Sequence, residues 1–437
     1  MPKGKRKSKS GGPLRHKQDQ NFASEEESLA DNSSVVSNLS ELRIDSDDDT
    51  VTEADEDVIA TDDFEDKLKE AIEGLLQKSA RARIASLEVM RKSLSSRFMC
   101  SFIQERWFSV CDAMERCLKR GKGEEQILGA VVASLICAQM GREDECEKVL
   151  EHLHPTLLAL LLDTTVQPQV RAQCATSLGL CCFIVGSHTD SRRSNFSELL
   201  HPTMESLYTV FSASLLKGNG VVPCHRPEIS ALHSSALLGW NLLLTLLSPP
   251  FIMALANTHL KKIPQLLDST DVDLRIAAGE TLAVFYEVAR QCREDFEGDD
   301  LDTLCEKLRS LATDSQKFRA KKDRRQQRSS FRDILGTIED DEPLDIRIKL
   351  GKETLYIDNW CHKRQYDAFC QILGSGMCLH LRQNELLRDV FQLGDPLIED
   401  KTTVKNSKLQ RHSAHLAACK ARTKCLSKLR DKRADIL

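Results

Sequence analysis

Between Phe64 and Ala312, apolar residues fall three and four positions apart, and few stretches alternate. That spacing predicts helices rather than strands. One short pattern recurs within it. Ala82-Arg83 leads to Ser86 and Met90, Ile127-Leu128 to Val131 and Leu135, Val170-Arg171 to Cys174 and Leu178, and Leu274-Arg275 to Ala278 and Leu282. A degenerate copy lies near Ala231–Leu238. The second position of each copy falls at 83, 128, 171, roughly 232 and 275, a period of about 44 residues that belongs to armadillo or HEAT repeats. One helix pair cannot cover its own apolar face, so neighbouring pairs stack into a curved solenoid. A generic helical domain with a chance likeness is the plainer alternative. The longer step holds Lys217–Pro227, whose glycines and prolines predict a loop protruding from one face.

The period fades after Ala312. Ile346–Leu350 and Thr354–Asp358 alternate on either side of Gly351-Lys-Glu, which predicts a short hairpin. Helical stretches follow at Tyr366–Leu373 and Asn384–Gln392, separated by Gly374-Ser-Gly376. From Leu397 to Leu437 there is neither glycine nor proline, and a terminal helix is expected. The expected fold is mainly α: a helical solenoid, a small α+β C-terminal domain and a basic terminal helix. The boundaries are a disordered arm at 1–62, the repeats at 63–316, a basic linker helix at 317–332, the small domain at 333–396 and the terminal helix at 397–437.

Charge changes the picture more than composition does. The chain of 437 residues has a formal net charge of −5, but its charges are segregated. Residues 1–17 carry seven Lys/Arg and no acid, and residues 18–66 carry eighteen acids against Arg43 alone. This arm is poor in aromatics and reads as disordered. Ser24 and Ser46 each precede three acids, a context for phosphorylation that would deepen the negative charge, or simply an unmodified solvating tail. From Lys401 the tail holds eleven Lys/Arg against Asp431 and Asp435, a net +9. On a helical wheel of about 100° per residue, its cations occupy nearly every direction. A helix docked on a protein or a membrane needs an apolar stripe. One charged all round suits surroundings with phosphates on every side. The alternative is a solvated tail. The candidate phosphate contacts are Lys405, Lys408, Arg411, Lys420, Arg422, Lys424, Lys428, Arg430, Lys432 and Arg433. A second cluster, Lys321, Lys322, Arg324, Arg325 and Arg328, is a candidate second RNA surface or a solvated helix face.

Catalytic signatures are scarce. There is no P-loop, dinucleotide fingerprint, H-E-x-x-H or nucleophile elbow, and an enzyme is not expected. The sixteen cysteines contain no C-x-x-C pair and lie within apolar helical patterns, so reduced, buried thiols in a cytosolic or nuclear protein are expected. His412, His415, Cys419 and Cys425 lie close together in the basic tail, but a zinc site there would have to tolerate the surrounding positive charge. No metal, cofactor, small-molecule substrate or membrane partner is expected. The longest apolar run, Ala236–Leu247, is too short to span a bilayer.

Several long segments resemble the interferon-related developmental regulators. They are Glu115–Lys122, Asp273–Leu282, Arg319–Asp333, Gly374–Met377, Asn384–Phe391, Lys420–Lys424 and Asp431–Asp435. The likeness runs from about 64 to 437. The short Ser/Asp-rich arm and cysteine-rich middle look more like the second mammalian paralogue than the first. The resemblance implies an armadillo-type region and a family-specific C-terminal domain. It also implies two functional themes. One is translational repression by binding non-translating ribosomes near the tRNA sites, with the C-terminal helix in the mRNA channel. The other is nuclear co-regulation of transcription, with a helical-repeat adaptor binding co-repressor proteins. The expected location is cytoplasmic, with a nuclear pool under the second theme. Lys3–Lys9 is then a weak localisation signal.

Overall fold

A computed structural model describes residues 53–395, apart from 142, 189–193, 219, 315–319 and 352. The arm to residue 52 and the basic tail from 396 lie outside the described residues, as do the expectations that fall on them.

The described residues open with eight helices: α1 Glu53–Gly74, α2 Ala80–Ser96, α3 Cys100–Gln104, α4 Trp107–Arg120, α5 Glu124–Met140, α6 Asp144–Leu162, α7 Pro168–His188 and α8 Ser194–Ser212. After the loop predicted at Lys217–Pro227 come α9 Pro227–Leu244, α10 Pro249–His259, a 3-10 turn Ile263–Asp268, α11 Val272–Cys292, α12 Leu301–Thr313 and α13 Lys321–Asp340. Helices α2, α5, α7, α9, α11 and α13 stack successively into an inner layer, while α1, α4, α6, α8, α10 and α12 form the outer one. All five registered repeat positions, Arg83, Leu128, Arg171, Leu232 and Arg275, fall on inner helices. The solenoid expected from the period is therefore the observed one.

Burial explains the two layers. Outer helix α4 has one apolar stripe, Val110, Cys111, Met114, Cys117 and Leu118, at helical spacing. Inner helix α5 is buried almost all round from Val132 to Met140, because it has neighbours on every side. Helix α7 is long and apolar enough to cross a membrane, yet it sits between α5 and α9 with α6 and α8 behind it. Glycine sets the closest approach: a β-carbon on Gly179 of α7 would lie 2.8 Å from the Gly239 Cα of α9. The fourteen described cysteines are all free. Burial pushes the Cys111, Cys174 and Cys182 thiols up to about 12, which keeps them protonated and inert.

The repeated arginine has a structural task. Arg83 donates to the carbonyls of Gln77 and Lys78 behind α1, and forks onto Glu125 of the next inner helix at 2.6 and 3.0 Å. Arg171 donates to the Leu161 carbonyl at the end of α6. Arg275, fully buried, reaches the Ser269 carbonyl and Gln327 of α13. At both ends of the stack it satisfies orphan carbonyls and ties one repeat to the next.

The C-terminal segment folds back. Strands β1 Ile346–Leu350 and β2 Glu353–Ile357 form the expected hairpin, with Ile346 opposite Ile357 and Leu350 opposite Glu353. Then come α14 Trp360–Leu373, a 3-10 turn Gly374–Gly376, α15 Met377–Gln383 and α16 Glu385–Val390. Helix α14 crosses the inner layer, touching α2, α5, α7, α9 and α11. Glu287 of α11 accepts the Trp360 and Cys361 N–H groups at its start, at 2.6 and 3.4 Å. Lys363 bridges Glu280 and Asp367 at 2.8 Å each. Burial opposes the charge on Lys363, but the two carboxylates outweigh it and hold its pKa above the usual lysine range. At the far end the His380 ring contacts the Leu94 carbonyl of α2 at 3.2 Å, and the Asn384 amide donates to the Ala138 carbonyl of α5 at 2.7 Å. The segment is a strap from the last repeats to the first, lying along the inner layer. It belongs to one compact unit with the repeats, and the boundary placed at 332/333 falls inside α13.

Candidate nucleic-acid interface

Helix α13 carries one of the two cationic clusters, and its position follows from what it buries. Gln327, Phe331, Ile334 and Ile338 are buried at spacings of four, three and four, a single helical face. Phe331 and Ile334 fill the space beside Gly279 of α11, where a β-carbon would lie 2.8 Å from each. Gln327 accepts from Arg275 and donates to the Leu311 carbonyl and to Asp314, at 3.2 Å each. At the other end Arg290 of α11 donates to the Thr337 and Ile338 carbonyls at 2.6 Å, and Trp360 Nε1 donates to Thr337 Oγ1 at 2.8 Å. Both ends of the helix are therefore held against the solenoid, and its rotation is fixed.

That rotation turns the cations outward. Lys321, Lys322 and Arg325 are exposed, and Arg324 and Arg328 are half-buried. Lys321, Arg325, Arg328 and Arg332 follow the helical spacing and share a stripe about 60° wide, roughly 120° from the centre of the buried face. Among the described residues, none of these four has an acidic partner within salt-bridge distance. Their charge is available to a ligand, unlike that of Lys307 and Arg309 on α12, which pair with Asp268 and Glu339. Arg324 Nε is buried without a hydrogen-bond partner among the described residues. The structure thus places three of the five cations expected on this surface, Lys321, Arg325 and Arg328, in one stripe, with Lys322 and Arg324 to either side of it. Arg332, the last cation of the same basic run in the sequence, is exposed and continues that stripe at helical spacing. The ten tail candidates, Lys405 to Arg433, lie outside the described residues.

The surface presents exposed positive charge. Among the described residues no group of three or more His, Cys, Asp or Glu side chains is arranged to hold a metal ion.

Two family models match. The interferon-related developmental regulator model covers residues 32–339, and the interferon-related protein conserved region covers 384–434. The chain belongs to the interferon-related developmental regulator family. Interferon-related developmental regulator 1 of Sus scrofa is 46% identical over 379 residues, covering 86% of this chain and 82% of the relative. Interferon-related developmental regulator 2 of Mus musculus is 42% identical over 379 residues, covering 86% and 84%. These figures assign the family; they do not rank the second paralogue above the first. A more distant relative, an uncharacterized protein of Schizosaccharomyces pombe, is 26% identical over 200 residues, 41% of this chain and 44% of its own. The second family model runs through α16 and the basic tail to residue 434, so strap end and tail fall within one family region.

Proposed function

We propose that this regulator is a non-enzymatic, ribosome-binding translational inhibitor. The solenoid docks on a non-translating ribosome near the tRNA sites, and the tail from 397 enters the mRNA channel and obstructs it. The observation that carries the reading is the stripe of cations on α13, without acidic partners among the described residues and held rigidly on the last repeat, in a chain whose tail adds a net +9. Two such segments fit a partner that presents phosphate backbone over a large surface. The family resemblance selects the ribosome among such partners. As a helix, about thirty tail residues would reach roughly 45 Å, enough to fill a long stretch of channel.

The adaptor reading asks the concave face of the solenoid to receive partner peptides. The strap helix α14 lies on that layer, against five inner helices, which favours the ribosomal reading. The proposed location is cytoplasmic, with ribosomal RNA and protein as partners. The deciding experiment is cosedimentation of the full chain with purified ribosomes across a potassium chloride series. Replacing five tail cations by glutamine is expected to weaken binding steeply and flatten its salt dependence. Unchanged cosedimentation would remove the tail as the anchor.

A further inference from the structure

The outer face of the β1–β2 hairpin is a second solvent-facing assembly outside α13. Alternation sends Ile348, Leu350, Leu355 and Ile357 into the core and leaves Arg347, Lys349 and Tyr356 outside. Tyr356 is 61% exposed, among the most exposed large apolar side chains of the described residues. Its ring is not loose. Arg347 is its cross-strand partner, with the guanidinium carbon 5.9 Å from the ring centroid. Arg347 is itself oriented by a fork onto Asp345, at 2.8 and 3.0 Å. The one carboxylate on the strands, Glu353, is occupied: Arg388 holds it at 2.9 and 3.1 Å and keeps its pKa below the usual range. The face therefore presents a flat aromatic with the exposed Lys349 diagonally across the strands from it, while Asp345 is taken by Arg347.

Its position matters as much as its chemistry. Arg388, which ties down Glu353, also donates to the carbonyls of Leu393, Gly394 and Asp395. The last described residues before the basic tail are thus fastened beside Glu353 of the hairpin.

We infer that the outer hairpin face is a stacking platform for single-stranded RNA. One unpaired base lies on Tyr356, and Lys349 takes a flanking phosphate. Base–aromatic stacking combined with nearby cations is the general mode of sequence-tolerant single-strand binding. The inference rests on the nucleic-acid reading above and adds to it a contact that reads unpaired bases rather than duplex backbone.

The test uses the full chain and a labelled oligouridine of about twelve nucleotides, with affinity followed by fluorescence anisotropy and contacts by ultraviolet cross-linking. A uridine adduct is expected on the peptide containing Tyr356. Tyr356→Ala is expected to weaken binding roughly tenfold at fixed salt with the salt slope unchanged, since stacking releases no counterions. Tyr356→Phe keeps the ring and is expected to stay within about twofold. Lys349→Gln is expected to weaken binding and lower the salt slope by about 0.7. Unchanged affinity in Tyr356→Ala, with no adduct on that peptide, overturns the platform. So does a loss shared equally by Tyr356→Phe, which would make the hydroxyl the contact. If Tyr356→Ala reduces ribosome cosedimentation while oligouridine binding is untouched, the face meets protein and the inference fails. Failure of the ribosomal reading looks different: tail and α13 substitutions would leave cosedimentation intact, whatever happens at Tyr356.

Discussion

Gly376 lies directly against the carbonyl oxygen of Ser95, so close that a β-carbon at 376 would overlap it. These residues belong to opposite ends of the chain, the turn after α14 and the last turn of α2. The contact locates the strap on the first repeat to within an atom's width.

Gly376→Ala is therefore expected to force the strap off α2, lowering stability by about 2 kcal/mol, the scale of overpacking against backbone. Gly374, two residues earlier, is the control. Its φ is +51° but nothing lies within 4 Å of an added β-carbon, so Gly374→Ala should cost only the backbone penalty of about 1 kcal/mol. Denaturant unfolding of both variants checks the ranking. Equal effects would mean that the Ser95 contact is not tight in solution.

The last inter-repeat tie is Arg275 on Gln327. Arg275→Met keeps much of the volume but strands the Ser269 carbonyl and the Gln327 amide oxygen. A loss of about 3 kcal/mol is expected. Hydrogen exchange should localise the opening to α13 while α5 and α7 remain protected. The exposed cations Lys321 and Lys322, by contrast, should change stability by less than about 0.5 kcal/mol when replaced by glutamine.

Three buried histidines make the fold acid-sensitive. Burial lowers His233, His259 and His380 to about 4. A folded pKa below the unfolded value of roughly 6.5 means that the unfolded chain binds the proton first. The stability these rings contribute is present above about 6.5 and is lost as pH falls toward 4. Between pH 7 and pH 5 each should cost about 2 kcal/mol. His380→Gln is expected to flatten the fall in melting temperature over that window, because His380 is fully buried against the Leu94 carbonyl.

Much of the architecture was legible in the residues. The recurring small–apolar pattern, with arginine at 83, 171 and 275 and leucine at 128 and 232, marked every registered inner helix, because close helix stacking needs small residues and a buried arginine needs carbonyls at a fixed distance. The hairpin was legible because one of its faces is buried and the other wet. The return of α14 over the solenoid was not. Its apolar positions, Trp360, Ala368, Phe369 and Ile372, have the same spacing in a helix that packs locally and in one that crosses five repeats. Periodicity records that a face is buried, not what covers it. The cations of α13 were legible as a cluster, yet only the fixed rotation of the helix, set by Gln327 and Phe331, shows that Lys321, Arg325, Arg328 and Arg332 share one stripe. The linker boundary at 332 was misplaced for a related reason: charge ends there, but the buried face continues through Ile334 and Ile338 to the end of α13.

The α13 stripe and the tail should separate in their salt response. Replacing Lys321, Arg325 and Arg328 by glutamine is expected to lower the slope of log affinity for ribosomes against log salt by about 2, since each phosphate contact contributes roughly 0.7 to 0.9. The five-residue tail variant should lower it by about 4. A triple variant on α13 with an unchanged slope would assign that stripe to solvent.

An ordinary stack of helical repeats is a spring, and load on its last coil unwinds it from that end. Here the final described residues are moored by Arg388 to the hairpin and by Asn384 to the Ala138 carbonyl of α5. Tension on the polypeptide beyond residue 395 is consequently delivered to the opening coils, across the grain of the helices and in shear. Traction on a captured terminus would tighten the coil rather than unravel it.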